Sequence, residues 1–328
     1  MRILVVIPHY YGQSQPEYKS LGSYIEPISR VAAFTETIVG LYRHFGQNRH
    51  TVEGVKLLRS ESSSRLHIHV LTRRDSNLLS ELSFDPGTFD VEYVDCKPAW
   101  IPLQVPRVLK NYIGMFDFYC YLEDDLIIND PLFFSKLVWF QQTFGLKTVL
   151  APVRFEMSSS GTAAKVIFDP ILPDFYLVPF RRPGQCEEIT GIWHGSSQVF
   201  QLPQNPHAAS FFLTEDQLAY WMKQPSFDDG DSSWVGPIES AATLTIGKVF
   251  DIYKPKSPDH FFLELQHYGS RYASKSAPPG FRYGDPPILS FAQKGFQAAA
   301  TRSRGVGIGG NAGCSEVGKQ SREIDGEN

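Results

Sequence analysis

Apolar and polar positions change period along the chain, and the changes mark out its elements. Residues 2–7 form a short, β-branched, unbroken apolar run closed by Pro8, the pattern of a strand buried on both faces. From 27 to 44, Ile28, Val31, Phe34, Ile38, Leu41 and Tyr42 recur near helical spacing. Residues 66–72 alternate and predict the next strand, 91–94 a third, 106–115 a helix and 118–122 a further buried strand. Strand, helix, strand, then helix, strand implies parallel βαβ units with helices on both sheet faces. In such sheets ligands sit at the carboxyl ends of the strands. The expected fold class is therefore α/β, a Rossmann-like mixed sheet flanked by helices.

The second half is less regular. Strands are predicted at 148–153, 175–180 and 197–200, with an exposed turn at 158–164. Thr214-Glu215-Asp216-Gln217 fits a capping box and opens a helix over 214–222. Another helix starts near Glu239 and runs through Ala241, Leu244 and Ile246. Residues 259–267 read as strand-like. Beyond about 293 the chain turns small, polar and Gly-rich, and residues 296–328 are expected to be a flexible tail. The glycines of 305–310 are no phosphate loop, because no Lys-Ser/Thr follows and no strand precedes them. The expected organisation is one large domain over 1–295, with 1–130 a nucleotide-binding half.

Composition narrows the class. The 328 residues are 42% hydrophobic, enough for a sizeable core. A net charge of -4 lacks the basic footprint of a nucleic-acid binder, so no nucleic-acid partner is expected. Aromatic residues reach 13%; an exposed fraction of them would suit stacking on the apolar face of a sugar. Cys96, Cys120, Cys186 and Cys314 show no ligand spacing and read as incidental thiols. The first apolar run is too short for a signal or a membrane span, and no later run reaches spanning length. A cytoplasmic protein is the simplest expectation, with peripheral association with a membrane left open.

The most informative string is Phe118-Tyr119-Cys120-Tyr121-Leu122-Glu123-Asp124-Asp125, a buried strand that runs into three carboxylates. Strand alternation would send Glu123 and Asp125 to one side and Asp124 to the other. Two carboxylates on one side repel unless a cation or a proton shares them. Oxygen ligands of this kind suit Mg or Mn, completed by water and substrate phosphates. The bland alternative is a solvated sheet edge or a helix cap.

Tyr-Leu-Glu-Asp-Asp after a strand in the middle of a Rossmann-like half resembles the D-x-D motif of GT-A glycosyltransferases. The resemblance implies a GT-A fold with 131–295 as its acceptor-binding half, a UDP- or GDP-sugar donor and a Mn or Mg cofactor. The acceptor is left open among glycan, lipid and protein. Asp125 would chelate the metal, and Glu123, with Asp124, would lie on the donor side. The loops after the first two strands, Pro8-His9-Tyr10 and Thr72-Arg73-Arg74-Asp75, would cradle base, ribose and phosphate. Inverting members place a carboxylate base at the start of a downstream helix, and Glu239 in Gly236-Pro237-Ile238-Glu239 has that position, although Ile238 replaces the usual acid before it. Asp228, Asp229 and Asp231 form an alternative acidic loop. Some members complete the metal shell with a late histidine; His267 is the first choice and His260 the second. Trp193, His194 and Gly195 are expected to form a sugar wall, with Arg154 and Glu156 as further polar contacts. Inversion is slightly favoured over retention. Two other readings stay open, a catalytically silent lectin-like protein and a nucleotidyltransferase on a similar sheet. The latter lacks its basic glycine loop after the first strand.

Overall fold

The computed structural model describes residues 1–12, 26–53, 56–61, 64–158, 164–270 and 273. The tail expected at 296–328 and most of the turn expected at 158–164 lie outside the described residues. In chain order the first strands are β1 (Arg2–Pro8), β2 (Asn48–Glu53), β3 (Lys56–Glu61), β4 (Arg65–Thr72) and β5 (Asp90–Tyr93). They are followed by β6 (Phe118–Leu122), β7 (Leu126–Ile127), β8 (Thr148–Leu150), β9 (Val153–Met157) and β10 (Lys165–Ile167). The last are β11 (Glu188–Trp193), β12 (Ser196–Gln201), β13 (Ser210–Thr214), β14 (Asp251–Pro255) and β15 (Glu264–His267). The helices used below are α1 (Pro27–Phe45), α2 (Val105–Asn111), α3 (Phe133–Phe144), α4 (Glu215–Trp221) and α5 (Pro237–Glu239).

The main sheet has the order β13-β6-β1-β4-β5. β1 runs parallel to both β4 and β6, β4 runs parallel to β5, and β13 is antiparallel to β6. β1 alternates between two cores, which explains its unbroken apolar run. Ile3, Val5 and Ile7 pack with Phe34, Ile38 and Leu41 of α1 and with Phe133 and Phe134 of α3. Leu4 and Val6 pack with Val105, Val108 and Leu109 of α2, and with Leu218 and Trp221 of α4. The chain is thus a mixed α/β protein with helices on both faces of its main sheet. Two smaller sheets, β10-β9-β15-β7 and β11-β12-β14-β8, and the β2-β3 ribbon complete the strand pairing.

Proline accounts for two differences from the expected elements. The strand expected over 148–153 divides into β8 and β9 on either side of Ala151-Pro152, since proline has no N–H for a ladder. The strand expected over 175–180 is instead two 3-10 turns, Asp174–Tyr176 and Val178–Phe180, each begun beside a proline. Residues 259–267 likewise divide, into a 3-10 turn at Asp259–Phe262 and then β15. The α4 capping box is present as read: Gln217 N–H donates to the Thr214 hydroxyl, and the Gln217 side chain accepts from Thr214 N–H.

Candidate functional site

The three carboxylates do not continue β6. They occupy the turn between β6 and β7, closed by Leu126 N–H donating to the Glu123 carbonyl. The turn gives each acid its own surroundings, so strict alternation does not apply. Asp124 is buried and fully committed: its carboxylate meets His9 Nδ1 on one oxygen and the Arg30 guanidinium of α1 on the other. His9 is buried too, stacked on Phe34, and its Nε2 accepts from Leu78 N–H at 3.1 Å. Asp124 and His9, both expected on the donor side, therefore tie α1, the β1 exit and the loop before residue 79 to one another. Pro8 is buried at the end of β1, and Tyr10 packs on the second core.

Asp125 is held differently. Arg30 donates to its Oδ2 at 2.9 Å, whereas Oδ1 is buried and has no hydrogen-bond partner among the described residues. His267 Nε2 stands 3.6 Å from Asp125 Oδ2. Strand pairing brings the two together: His267 lies opposite Leu126 in the antiparallel β15–β7 pair, and Tyr268 N–H donates to the Asp125 carbonyl. On its other side β15 runs parallel to β9, with Leu265 opposite Arg154. Arg154 and Glu156, two apart on β9, both line a small pocket with Phe155, Phe168 and His267. The buried Glu156 carboxylate lies 2.8 Å from His267 Nδ1 and also accepts from Ala273 N–H. A carboxylate on one ring nitrogen fixes the tautomer and leaves the other nitrogen as a ligand, the arrangement common behind metal-bound histidines.

The charges around this turn are mutually consistent. Burial would raise the Asp125 carboxyl, but His267, Arg30 and Arg154 outweigh it and hold the group below the ordinary carboxylate value. Glu123 goes the other way: burial, Asp125 and Glu239 push it well above the ordinary value, with Arg154 opposing. Glu239 of α5 therefore acts on the same acidic group as Asp125, as the expected base must. Its carboxylate lies over Gly236, where an added Cβ would stand 2.8 Å from Glu239 Oε2. Val235, one residue earlier, has φ 58, a left-handed conformation that is unusual for a β-branched residue. After α5 the helix winds as a π-helix over Ser240–Leu244. Both features recur where function constrains the backbone.

Other expected residues have partners of their own. Arg73 and Asp75 form a bidentate pair with each other, which holds Asp75 at about 2. Arg73 also donates to the Cys96 carbonyl. Trp193, His194 and Gly195 make the β11–β12 hairpin, with His194 at φ 47 and Gly195 at φ 80 as its turn. Trp193 packs on Trp139 and Phe262, and His194 and Gly195 are exposed on a sheet other than that of His267. Asp229 and Asp231 pair with Lys248.

Compared with known proteins, the chain matches no protein-family model and no curated sequence. No helix among the described residues is long and apolar enough to cross a membrane. Sequence reasoning missed Arg30, whose place in α1 gave no sign that it reaches both Asp124 and Asp125. It gave Glu156 only a minor part. The spacing of Arg154 and Glu156 was the available signal, but it becomes informative only once β9 is known to lie beside β15.

Proposed function

We propose that the chain is a GT-A-type glycosyltransferase acting on a nucleoside-diphosphate sugar, with Mn or Mg bound by Asp125 and His267. The observation that supports it most is the meeting of Asp125, His267 and the Glu156 carboxylate behind His267, contributed by three separate strand ends and turns. The residues fit a divalent ion. A buried carboxylate oxygen has no partner among the described residues, and a histidine nitrogen is turned toward the same carboxylate. Two protein ligands leave room for substrate phosphates, as such cations prefer. When bound, the ion would neutralise charge developing on the diphosphate leaving group.

The chain's own groups have distinct parts in this reading. Arg154, whose Nε is buried without a partner among the described residues, pairs with a phosphate oxygen. Arg30 bridges Asp124 and one oxygen of Asp125, so its single charge offsets part of the charge of the two buried acids before any ligand arrives. Glu239 accepts the proton of the acceptor hydroxyl as its oxygen bonds to the anomeric carbon. The bond from that carbon to the diphosphate breaks, and the electron pair leaves with the nucleoside diphosphate. A single displacement of this kind inverts the anomeric centre.

Thermal unfolding with UDP and with GDP, each with and without Mn, tests the donor site in the native chain and in Asp125→Asn. A ligand at about 100 times its dissociation constant stabilises the folded state by about 2.7 kcal/mol. Stabilisation that needs nucleotide and metal together, and is lost in Asp125→Asn, is the expected result. Equal stabilisation of the variant would remove Asp125 from the site, and no response to either nucleotide would count against the transferase.

A further inference from the structure

A second group of ligand-type side chains lies away from the acidic turn, at the edge of the main sheet. His67 and His69 are two apart on β4 and so share a face. The parallel β4–β5 register sets His69 opposite Asp90 and Leu71 opposite Glu92, which brings both carboxylates to the two imidazoles. One ligand atom each from His67, His69 and Asp90 lie within 4.8 Å of one another. His67 Nε2 is 3.3 Å from Asp90 Oδ2, and His69 Nε2 is 3.3 Å from Glu92 Oε2. Both Nε2 atoms are buried, and neither has a hydrogen-bond partner among the described residues.

We infer that His67, His69, Asp90 and Glu92 form a zinc site that fastens edge strand β5 to β4. Ligand atoms bonded at about 2.0–2.1 Å to a tetrahedral zinc stand about 3.3 Å from each other, which is the separation seen in both His–carboxylate pairs. Two imidazoles and two carboxylates suit zinc better than magnesium or calcium, which prefer all-oxygen shells. The surroundings hold the ligands in place. Tyr112, just past α2, has its hydroxyl 3.3 Å from His69 Nδ1, and its ring lies 5.3 Å from that of His67. Phe116 covers the other edge of His67 at 5.7 Å, and Arg107 pairs with the second oxygen of Glu92. Asp90 is the exposed member of the group.

β5 is a short edge strand whose burial pattern is mostly exposed, so little apolar packing holds it. A metal shared between β4 and β5 supplies what packing does not, because an ion that binds only the folded arrangement stabilises it. This reading is independent of the transferase proposal and uses none of its residues.

The test is calorimetric titration of the chelator-treated full chain with Zn, repeated for Asp90→Asn, His69→Gln and Asp125→Asn. One strong zinc site is expected in the native chain. It should weaken at least about tenfold in Asp90→Asn and His69→Gln, since loss of a mere outer partner already costs that much. It should persist in Asp125→Asn. Cobalt in place of zinc should give the intense ligand-field absorption of a tetrahedral centre in the native chain, and lose it in Asp90→Asn. Asp90 is exposed, so that variant should keep the native circular dichroism and report binding rather than folding. Absence of a zinc site, equal binding by Asp90→Asn, or loss of the site in Asp125→Asn would each overturn the assignment.

Discussion

Asp124 and Asp125 share a peptide bond and differ in what reaches them. Asp124 faces inward onto His9 and Arg30, so its charge is spent on holding the fold together. Asp125 keeps one oxygen without a partner among the described residues, and a histidine nitrogen approaches the other. His207 shows the same dependence on surroundings. Burial, with the charges of Arg154 and Lys254, holds its imidazole well below 6.5. Such a ring stays neutral where the unfolded chain takes up a proton, so stability is present above 6.5 and is lost as pH falls toward the depressed value. Once the unfolded ring is fully protonated, the loss from this group approaches about 1.4 kcal/mol per pH unit. Urea unfolding over a pH series should therefore give a flatter acid limb for His207→Gln than for the native chain. Parallel curves would mean that another group is responsible.

At the scale of the element, α5 depends on the loop before it. Ser240 is buried, and its hydroxyl both donates to the Trp234 carbonyl at 2.8 Å and accepts from Trp234 N–H at 3.1 Å. Trp234 is in turn held by its indole N–H donating to the Tyr176 carbonyl. This clasp sets where the residues between, Glu239 included, leave the loop. Ser240→Ala leaves the buried Trp234 N–H without its partner, while the Trp234 carbonyl keeps Gly236 N–H, and should cost about 1–3 kcal/mol in denaturant unfolding. If Glu239 is the base, the same variant should lower turnover more than donor affinity, because the donor ligands are untouched. An unchanged midpoint would show that water or a rearranged loop replaces the hydroxyl.

At the scale of the whole molecule, the candidate metal pair exists because β15 lies between β7 and β9. β7 carries the strand edge next to Asp125, β9 supplies Glu156, and β15 ends on His267. Glu156→Gln keeps an oxygen that can accept from Ala273 N–H but removes the charge that orients the His267 ring. Affinity for Mn, measured with nucleotide present, should fall about 10- to 100-fold, with folding largely retained. An undiminished affinity would make the Glu156–His267 contact structural only.

The sequence by itself determined the elements whose signal is local. The apolar run of β1, the 3.6-residue period of α1, the capping box of α4 and the acids after β6 all depend on neighbours a few residues away. Prolines within the expected strands explain the division of 148–153 and the turns at 174–180. Asp125, His267 and Glu239 were legible as candidate chemistry from type and position. Their relation was not, because strand pairing across more than a hundred residues is settled by register and by the packing of both sheet faces. The same reason hides Arg30, which reaches the acids only from a packed α1, and the facing of β4 and β5 that sets His67 and His69 beside Asp90 and Glu92. Local sequence sets the period in which side chains emerge; only the folded sheets decide which of them meet.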